Sequence, residues 1–404
     1  MTASPAHVTA GQRRARLGWH HRLLPNRRVD DSVAIADSLV ALHSSDPAAV
    51  YLAAAVRMAR PSLEPTAEAL YGRRSLLRHH AMRRTLWVMS PAVAAEAHAT
   101  TTTDLLGREL RRWARIIEDQ GVATDGAAWL AAAMDEVEGE LARRGPVTAR
   151  ELGRALPGLG TRVVLAGGKA YEATQGLHTR VLQLLGFAGR ALRAHPVGGW
   201  THSEYRWVAA ADWLPGGLGS LEAGPAAAGL ARRWLGAFGP ATTEDLRWWA
   251  GWTLARTRRA LADAGAVAVS TDEGPAWVAP DDPLATGEDD PATAGGREPW
   301  VALLPALDPT TMGWRQRGWY LDADHVPLLF DGNGNAGPTA WVDGRVVGGW
   351  VQRPDGEIAL GLLADVGGQA RRRLDGAARA LADLVGPTRF RVRFPAPLQR
   401  QLLA

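Results

Sequence analysis

The chain has 404 residues, of which 46% are hydrophobic and 22% charged, a balance typical of a folded protein with several domains. It contains no cysteine, so disulfides, thiolate catalysis and cysteine-ligated metal sites are excluded. No apolar run is long enough for a membrane helix, and the first thirty residues read as a basic arm with Arg13, Arg14 and Arg16 rather than a signal peptide. We therefore expect a cytoplasmic protein.

The net charge of +4 conceals an uneven distribution. Residues 271–298 hold eight acidic residues and one arginine, a net charge of −7, which leaves +11 for the rest of the chain. All but one of the 46 basic residues are arginine, the better bidentate partner for phosphate and guanine. A GC-rich genome would give the same arginine bias, but a basic body beside an acidic linker is consistent with a nucleic-acid partner.

The first hundred residues predict a helix–helix–helix–strand order. Apolar residues at helical spacing predict a helix over 33–42, and the sequence continues with helices over 47–60 and 66–80 and a strand over 83–91. This region reads as a diverged copy of the units described next.

A short motif at the joint of the first two helices contains the first candidate site. His43 is expected at the end of one helix, and Asp46 precedes Pro47, the usual order of an N-cap and a first helical residue. We interpret Asp46 mainly as a cap. His43 and Ser45 border a concave corner near a helix N-terminus, whose free N–H groups favour anions. A structural role for His43 remains an alternative.

An internal repeat organises the middle of the chain. Residues 145–152 read GPVTAREL and residues 239–246 read GPATTEDL. Thr148 with Glu151, and Thr242 with Asp245, each predict a capping box that begins a helix. Each motif is followed by a helical stretch and two strand-like segments, so we predict a winged helix in both places.

The residue pattern changes after Trp300 from helical periodicity to short strand-like segments. Short strand-like segments alternate with Asp-Gly turns, a helix is predicted over 368–385, and FRVRF over 390–394 reads as a last strand. We predict an α+β fold of three tandem winged-helix domains in a C-shape followed by a C-terminal β-barrel-like domain. The expected boundaries are 1–100, 101–200 and 201–279 for the three winged helices, 280–298 for the acidic linker and 299–404 for the β-barrel domain.

Several segments in order resemble the AlkZ-like DNA glycosylases. They are LVALHSSDP with the following YL and Arg57, MRRTLWV at 82–88, RRWLGAFGPATTEDLRWWAG at 232–251, and LLPALDPTTMGWRQRGWYL at 303–321 with GNAGPTAWVDGRVVGGW at 334–350. The resemblance extends over nearly the whole chain. It implies three winged helices around bent duplex DNA, a closing β-barrel, and hydrolytic removal of N7-alkylpurines, including bulky or crosslinked adducts, with no metal or cofactor.

The site motif departs from that of the family. The resemblance places a Gln-x-Gln or Gln-x-Asp motif, whose side chains position a water for attack on the sugar C1′, where this chain has His43-Ser44-Ser45. A histidine can bind or deprotonate water and a serine can hydrogen-bond it. We therefore predict His43 and Ser45 as catalytic, with Asp46 assisting.

Candidate DNA contacts are arginines near the site motif and on the third unit, together with one exposed-looking tryptophan loop. Beside the basic arm they are Arg57, Arg83, Arg84, Arg256, Arg258, Arg259, Trp314 and Arg315. Phosphate contacts explain the arginines, and an aromatic residue beside arginine can probe a DNA groove.

Two functions remain open from the sequence. The first is a monofunctional glycosylase that excises N7-alkylated purines from double-stranded DNA as a monomer associated with the nucleoid. The second is a non-catalytic winged-helix DNA-binding protein or transcriptional regulator that retains the fold. A metalloenzyme is disfavoured because there is no HExxH motif, and the adjacent pairs His20-His21 and His79-His80 would point apart.

Overall fold

A computed structural model describes residues 5–165, 173–294 and 298–404; residues 295–297 of the predicted acidic linker lie outside them. The protein is a mixed α+β fold with several small sheets, as predicted. Among the described residues, no helix is both long and apolar enough to cross a membrane. The first hundred residues form helices Ala10–His20, Ser32–Ser38, Pro47–Ala55, Glu64–Ala67 and Pro91–Ala97 and strands His7–Val8, Leu42–His43, Leu77–His80 and Leu86–Met89.

The middle of the chain is mainly helical, with three hairpins. Its first part contains helices Thr103–Asp119, Gly126–Arg144, Ala149–Ala155, Leu177–Phe187 and Ala210–Trp213 and strands Arg162–Leu165, Ala173–Gly176, Ala191–Pro196 and Tyr205–Ala209. The second part contains helices Ala223–Phe238, Thr243–Ala250, Leu254–Asp263 and Pro283–Thr286 and strands Val267–Thr271 and Gly274–Val278.

Both predicted capping boxes are present. Thr148 Oγ1 accepts from the Glu151 backbone N–H at 3.1 Å, and the Glu151 carboxylate accepts from the Thr148 N–H at 2.8 Å. Thr242 and Asp245 make the same pair of bonds at 3.2 and 3.1 Å. These reciprocal bonds satisfy N–H groups that the first turn of a helix leaves free, which explains why both helices begin where the repeat places them.

A second shared feature connects all three units. Just before its capped helix, each unit has an extended residue that pairs antiparallel with a tryptophan on the second strand of a hairpin. The pairs are His43 with Trp87, Val147 with Trp207, and Ala241 with Trp277. The first unit thus shares this pairing with the other two, and His43 occupies the paired position that is apolar in the others.

The C-terminal region contains strands Val301–Leu304, Thr339–Val342, Arg345–Gln352 and Ile358–Leu362 and helices Pro309–Met312, Val326–Leu329, Gly367–Val385 and Pro397–Leu403. The four strands pair in chain order as an antiparallel meander, and the first and last do not pair with each other. The β-barrel-like arrangement predicted for this region stays a prediction, since the four strands of the described region form an open sheet. The long helix packs Leu374, Ala378 and Val385 against the sheet. The predicted strand at 390–394 is absent.

A buried ion pair joins the first unit to the C-terminal region. The Arg57 guanidinium is bidentate on Asp308 at 2.8 and 2.9 Å, and both side chains are fully buried. Its remaining N–H groups donate to the carbonyls of Ala53 and His21 and to the Thr310 hydroxyl, so all five donors are satisfied. The prediction that Arg57 contacts DNA is wrong, because its guanidinium is buried and the Asp308 carboxylate neutralises its charge.

Acidic residues of the 271–298 segment neutralise two arginines of the basic arm. Arg13 pairs with Glu273 at 2.5 Å, and Arg16 pairs with both Asp282 and Asp290. The strand His7–Val8 also pairs in parallel with Val267–Thr271, which fixes the arm on the third unit. Arg13 and Arg16 are nearly fully buried, so the prediction that the arm holds phosphates is wrong for these two residues.

Breaking the buried pair should be costly. Arg57→Met keeps the bulk but leaves the Asp308 carboxylate buried without its partner, and we expect a loss of about 3–5 kcal/mol in the free energy of unfolding. The measurement is urea denaturation followed by tryptophan fluorescence. The matched control is Arg60→Met, which breaks an exposed pair with Asp30 (2.8 Å) and should cost about 1 kcal/mol or less. Equal losses in the two variants would contradict this assignment.

Candidate active site

The predicted site motif lies on a strand and the turn that follows it. Leu42–His43 pairs with Val88 and Trp87, so His43 is not at a helix end as the sequence predicted. The pairing places the imidazole against the Trp87 ring, with 4.6 Å between ring centroids, and leaves His43 only 4% exposed. The strand thus fixes the orientation of the ring by packing.

His43 is electrically neutral at physiological pH. Burial, together with the nearby Arg83 charge, lowers its pKa to about 3. Nδ1 accepts a hydrogen bond from the Ser45 backbone N–H at 3.3 Å, so the proton of the neutral ring resides on Nε2. Nε2 has no partner among the described residues. The ring therefore offers a hydrogen-bond donor at Nε2.

The next residues of the motif turn into the helix Pro47–Ala55. Asp46 is its N-cap, as predicted, because Oδ1 accepts from the Ala48 N–H at 3.1 Å. Its other oxygen accepts from the Arg393 backbone N–H at 3.0 Å, and burial raises the pKa of this carboxyl despite those two bonds. Both oxygens are occupied by backbone donors, so the geometry assigns Asp46 to structure rather than to assistance in catalysis.

Ser44 and Ser45 line a basic cleft of about 320 Å³. Arg84 from the turn between strands Leu77–His80 and Leu86–Met89, Arg193 from the second unit and Arg393 from the C-terminal region also line it. Arg393 donates to the Ser45 carbonyl at 3.2 Å. Three separate parts of the chain thus meet beside the motif, which no local sequence pattern could reveal.

The turn that carries Arg83 and Arg84 is strained. Both residues have positive φ, 54° and 63°, a conformation that costs side chains other than glycine about 1 kcal/mol or more each. Arg83 lies over the Trp248 ring at 4.1 Å, and burial together with the Arg317 charge lowers its pKa to about 10. It has no carboxylate partner within the described residues. Arg84 is largely exposed and pairs with the buried Glu109.

The other predicted DNA contacts differ in their availability. Arg258 is exposed and has no ion-pair partner among the residues that the structure covers. Arg256, Arg259 and Arg315 pair with Asp104, Asp263 and Glu244 respectively, and a phosphate would have to displace those carboxylates.

Trp314 does not probe a groove. It is 2% exposed, its indole N–H donates to the Phe238 carbonyl at 3.0 Å, and its ring packs on His21, Phe238 and Trp319. The prediction failed because a glycine–tryptophan–arginine sequence is the same in a core turn and in an exposed loop.

Sequence reasoning missed four residues around the motif. Arg78 is 2% exposed and donates to the Ser44 hydroxyl at 3.1 Å, and its guanidinium lies over the Tyr205 ring at 4.8 Å. Arg193 and Arg393 line the cleft together with Tyr205. The nearest signal in the sequence was the Arg-Val-Arg pattern at 391–393, which was interpreted as a strand.

Comparison with known proteins identifies the class. The family model for AlkZ-like DNA glycosylases matches residues 36–384, so the chain belongs to that family and the predicted resemblance is confirmed. Base removal in DNA repair is the activity for which the family is named. The solved structure of the Streptomyces sahachiroi DNA glycosylase AlkZ matches with a TM-score of 0.72 and 21% identity, covering 96% of this chain and 99% of that one. At this identity the likeness is one of fold. No curated protein matches the chain.

The buried histidines predict acid sensitivity. Burial, aided by neighbouring positive charge, lowers the pKa of His20 to about 4 and those of His43 and His79 to about 3. The unfolded chain, with histidine pKa near 6.5, therefore binds more protons. Stability is fully present above pH 6.5 and is lost as pH falls toward 3, at up to about 1.4 kcal/mol per pH unit for each histidine.

Denaturant unfolding between pH 7.5 and pH 4.5 measures this slope. His43→Gln removes one titrating group and should reduce the slope by up to one proton. An unchanged slope would mean that the His43 ring is not buried in the folded protein.

Proposed function

We propose that this protein is a monofunctional DNA glycosylase that hydrolyses the N-glycosidic bond of N7-alkylated purines in duplex DNA. The observation that carries the proposal is the position of His43 and Ser45. The sequence resemblance aligns them with the water-positioning motif of the family, and Ser45 lines a cleft rich in arginine. On this proposal the protein works as a monomer on nucleoid DNA in the cytoplasm.

The fold suits a long, charged substrate. The three units that share the tryptophan pairing are proposed as winged helices arranged in a C-shape around the duplex. Exposed or unpaired arginines such as Arg83 and Arg258 would contact phosphates, which give affinity without reading sequence. Two carboxylates of the acidic linker, Asp282 and Asp290, are neutralised by Arg16 of the arm.

The chemistry needs water as its only co-reactant. An N7-alkylpurine is cationic, so its bond to C1′ breaks heterolytically, the electron pair goes to the base, and a neutral base leaves. Water then bonds to the oxocarbenium-like C1′ and releases its proton to solvent. The His43 Nε2–H would hold the water through its oxygen and the Ser45 hydroxyl would complete its orientation. The neutral histidine acts here by positioning and not by taking a proton.

Excision by substituted proteins tests these roles. His43→Ala should slow single-turnover excision of N7-methylguanine by about a hundredfold, because the water loses its orienting donor. His43→Gln should retain most activity, since an amide also donates a hydrogen bond and stands at this position in the family. Ser45→Ala should cost less than His43→Ala. The measurement is alkaline cleavage at the abasic sites left in a duplex with one lesion.

Two controls separate chemistry from folding and binding. Asp46→Ala should lower stability by about 1 kcal/mol through loss of the cap, with excision affected only as far as the fold is. DNA affinity of the three site variants should stay within a few-fold of the wild type. A wild-type protein that binds DNA but releases no alkylated base would favour the alternative, a non-catalytic DNA-binding protein or regulator.

DNA binding should depend steeply on salt. Each phosphate contact contributes about −0.9 to the slope of log affinity against log salt on B-DNA. Arg83→Gln and Arg258→Gln should each reduce the magnitude of this slope by about one. Neither guanidinium has a carboxylate partner among the described residues that would compete with a phosphate. Fluorescence anisotropy with an undamaged duplex between 50 and 300 mM salt measures this.

The control for the salt measurement is Arg371→Gln. That guanidinium pairs with Asp375 on the C-terminal helix, outside the three units, at 3.0 Å. The slope of log affinity against log salt for Arg371→Gln should match that of the wild type. A wild-type affinity that does not change with salt would contradict the electrostatic contacts.

A further inference from the structure

The cleft beside Ser45 contains more positive charge than the protein itself balances. We call it the arginine cleft and define it by Ser45, Arg84, Arg193, Tyr205 and Arg393, all of which line it. Apart from the carboxylate of Glu109, which pairs with Arg84, no ion pair within the described chain compensates these guanidiniums. Arg84 and Arg393 are exposed, whereas Arg193 is half-buried. A half-buried cation without an anionic partner is costly, and an anion in the cleft would remove that cost.

Arg193 shows the imbalance most clearly. Its guanidinium packs on the Trp207 ring at 4.3 Å, and its polar contact is with His80 Nδ1 at the long distance of 3.4 Å. No carboxylate of the described residues lies within ion-pair distance. Burial lowers its pKa to about 10, so the group is still a cation at neutral pH. Most of its five donors are therefore available to a ligand in the cleft.

Tyr205 adds an unused donor next to it. The side chain is 6% exposed and its hydroxyl is buried with no hydrogen-bond partner among the described residues. Buried tyrosine hydroxyls normally find a partner. Arg78 lies over the same ring at 4.8 Å and has Ser44 and Tyr71 as its polar partners, with no carboxylate. Arg78 is thus a second cation without a carboxylate partner among the described residues, and it packs on the Tyr205 ring.

The sign of the charge selects the ligand. A cationic N7-alkylpurine would be repelled by this cleft, so the cleft does not hold the damaged base. A phosphate is attracted by the charge, accepts two hydrogen bonds from one guanidinium, and can accept further bonds from the hydroxyls of Tyr205 and Ser45.

We propose that the arginine cleft binds one backbone phosphate of the duplex, the phosphodiester next to the nucleotide whose base is removed, with Arg193 and Tyr205 as its principal donors. This rests on the proposed function. Because Ser45 belongs to both the cleft and the water-positioning motif, a phosphate held there would set the distance between C1′ and the water. Arg193 is thus a positioning residue.

A scan with neutral phosphates tests the assignment. Duplexes with one N7-methylguanine each carry a single methylphosphonate at a different linkage around the lesion. For the wild type, one linkage next to the lesion should reduce affinity by about tenfold, because the charge that Arg193 binds is gone. For Arg193→Gln a methylphosphonate at the same linkage should not reduce the affinity any further. Arg193→Lys should restore part of the effect.

Arg206→Gln is the matched control. Arg206 follows Tyr205 on the same strand but pairs with Glu151 at 3.1 Å, so its variant should show the wild-type pattern. Tyr205→Phe gives a readout that a structural role would not produce. Its melting temperature should be unchanged or higher, since the hydroxyl has no partner to lose, while affinity for the duplex falls several-fold.

The outcomes distinguish this proposal from the proposed function. A wild type that excises bases but shows no special linkage would overturn the phosphate site and leave the function standing. A special linkage that vanishes in Arg193→Gln, without any excision, would support the site and remove the function. Titration with inorganic phosphate and with a deoxynucleoside monophosphate is the last arm. If either binds as tightly as the duplex, and only with Arg193 present, the ligand is a free phosphate and the assignment to DNA is wrong.

Discussion

One fully buried ion pair, Arg57 with Asp308, joins the first hundred residues to the C-terminal region. Such a pair is stable only when every donor and acceptor has a partner, and here the guanidinium also binds two carbonyls and Thr310. His21 extends the network, because its ring contacts the Thr310 hydroxyl and the Ala237 carbonyl. First unit, third unit and C-terminal region are therefore held in one geometry, and the helix that begins at Asp46 is held between them.

The distribution of charge has a simple physical logic. Three acidic residues of the 271–298 segment neutralise Arg13 and Arg16 of the basic arm within the protein, so these two arginines are not available to DNA. Arg83 and Arg193, beside the site motif, have no carboxylate partner among the described residues.

One residue pairing recurs three times along the chain, and the candidate site lies on the first of the three. The residue that pairs with the hairpin tryptophan is apolar in two units, Val147 and Ala241, and is His43 in the first. The strand pairing of His43 with Trp87 also fixes the orientation of the imidazole, so no additional residue is needed to hold the ring in place. Burial keeps the ring neutral, so in the proposed mechanism it orients water and does not take a proton.

The sequence by itself determined the local structure: both capping boxes, the Asp46 cap, the repeat and the helix near 368–385, because each depends on residues close in the chain. It also identified the family and the motif. Only the tertiary structure decided which charges are free. Arg57, Arg16 and Trp314 each have a buried partner 36 or more residues away, and Arg193, Tyr205 and Arg393 come together from separate parts of the chain. Side-chain burial and ion pairing are set by packing between units, and no periodicity or spacing within one segment reports it.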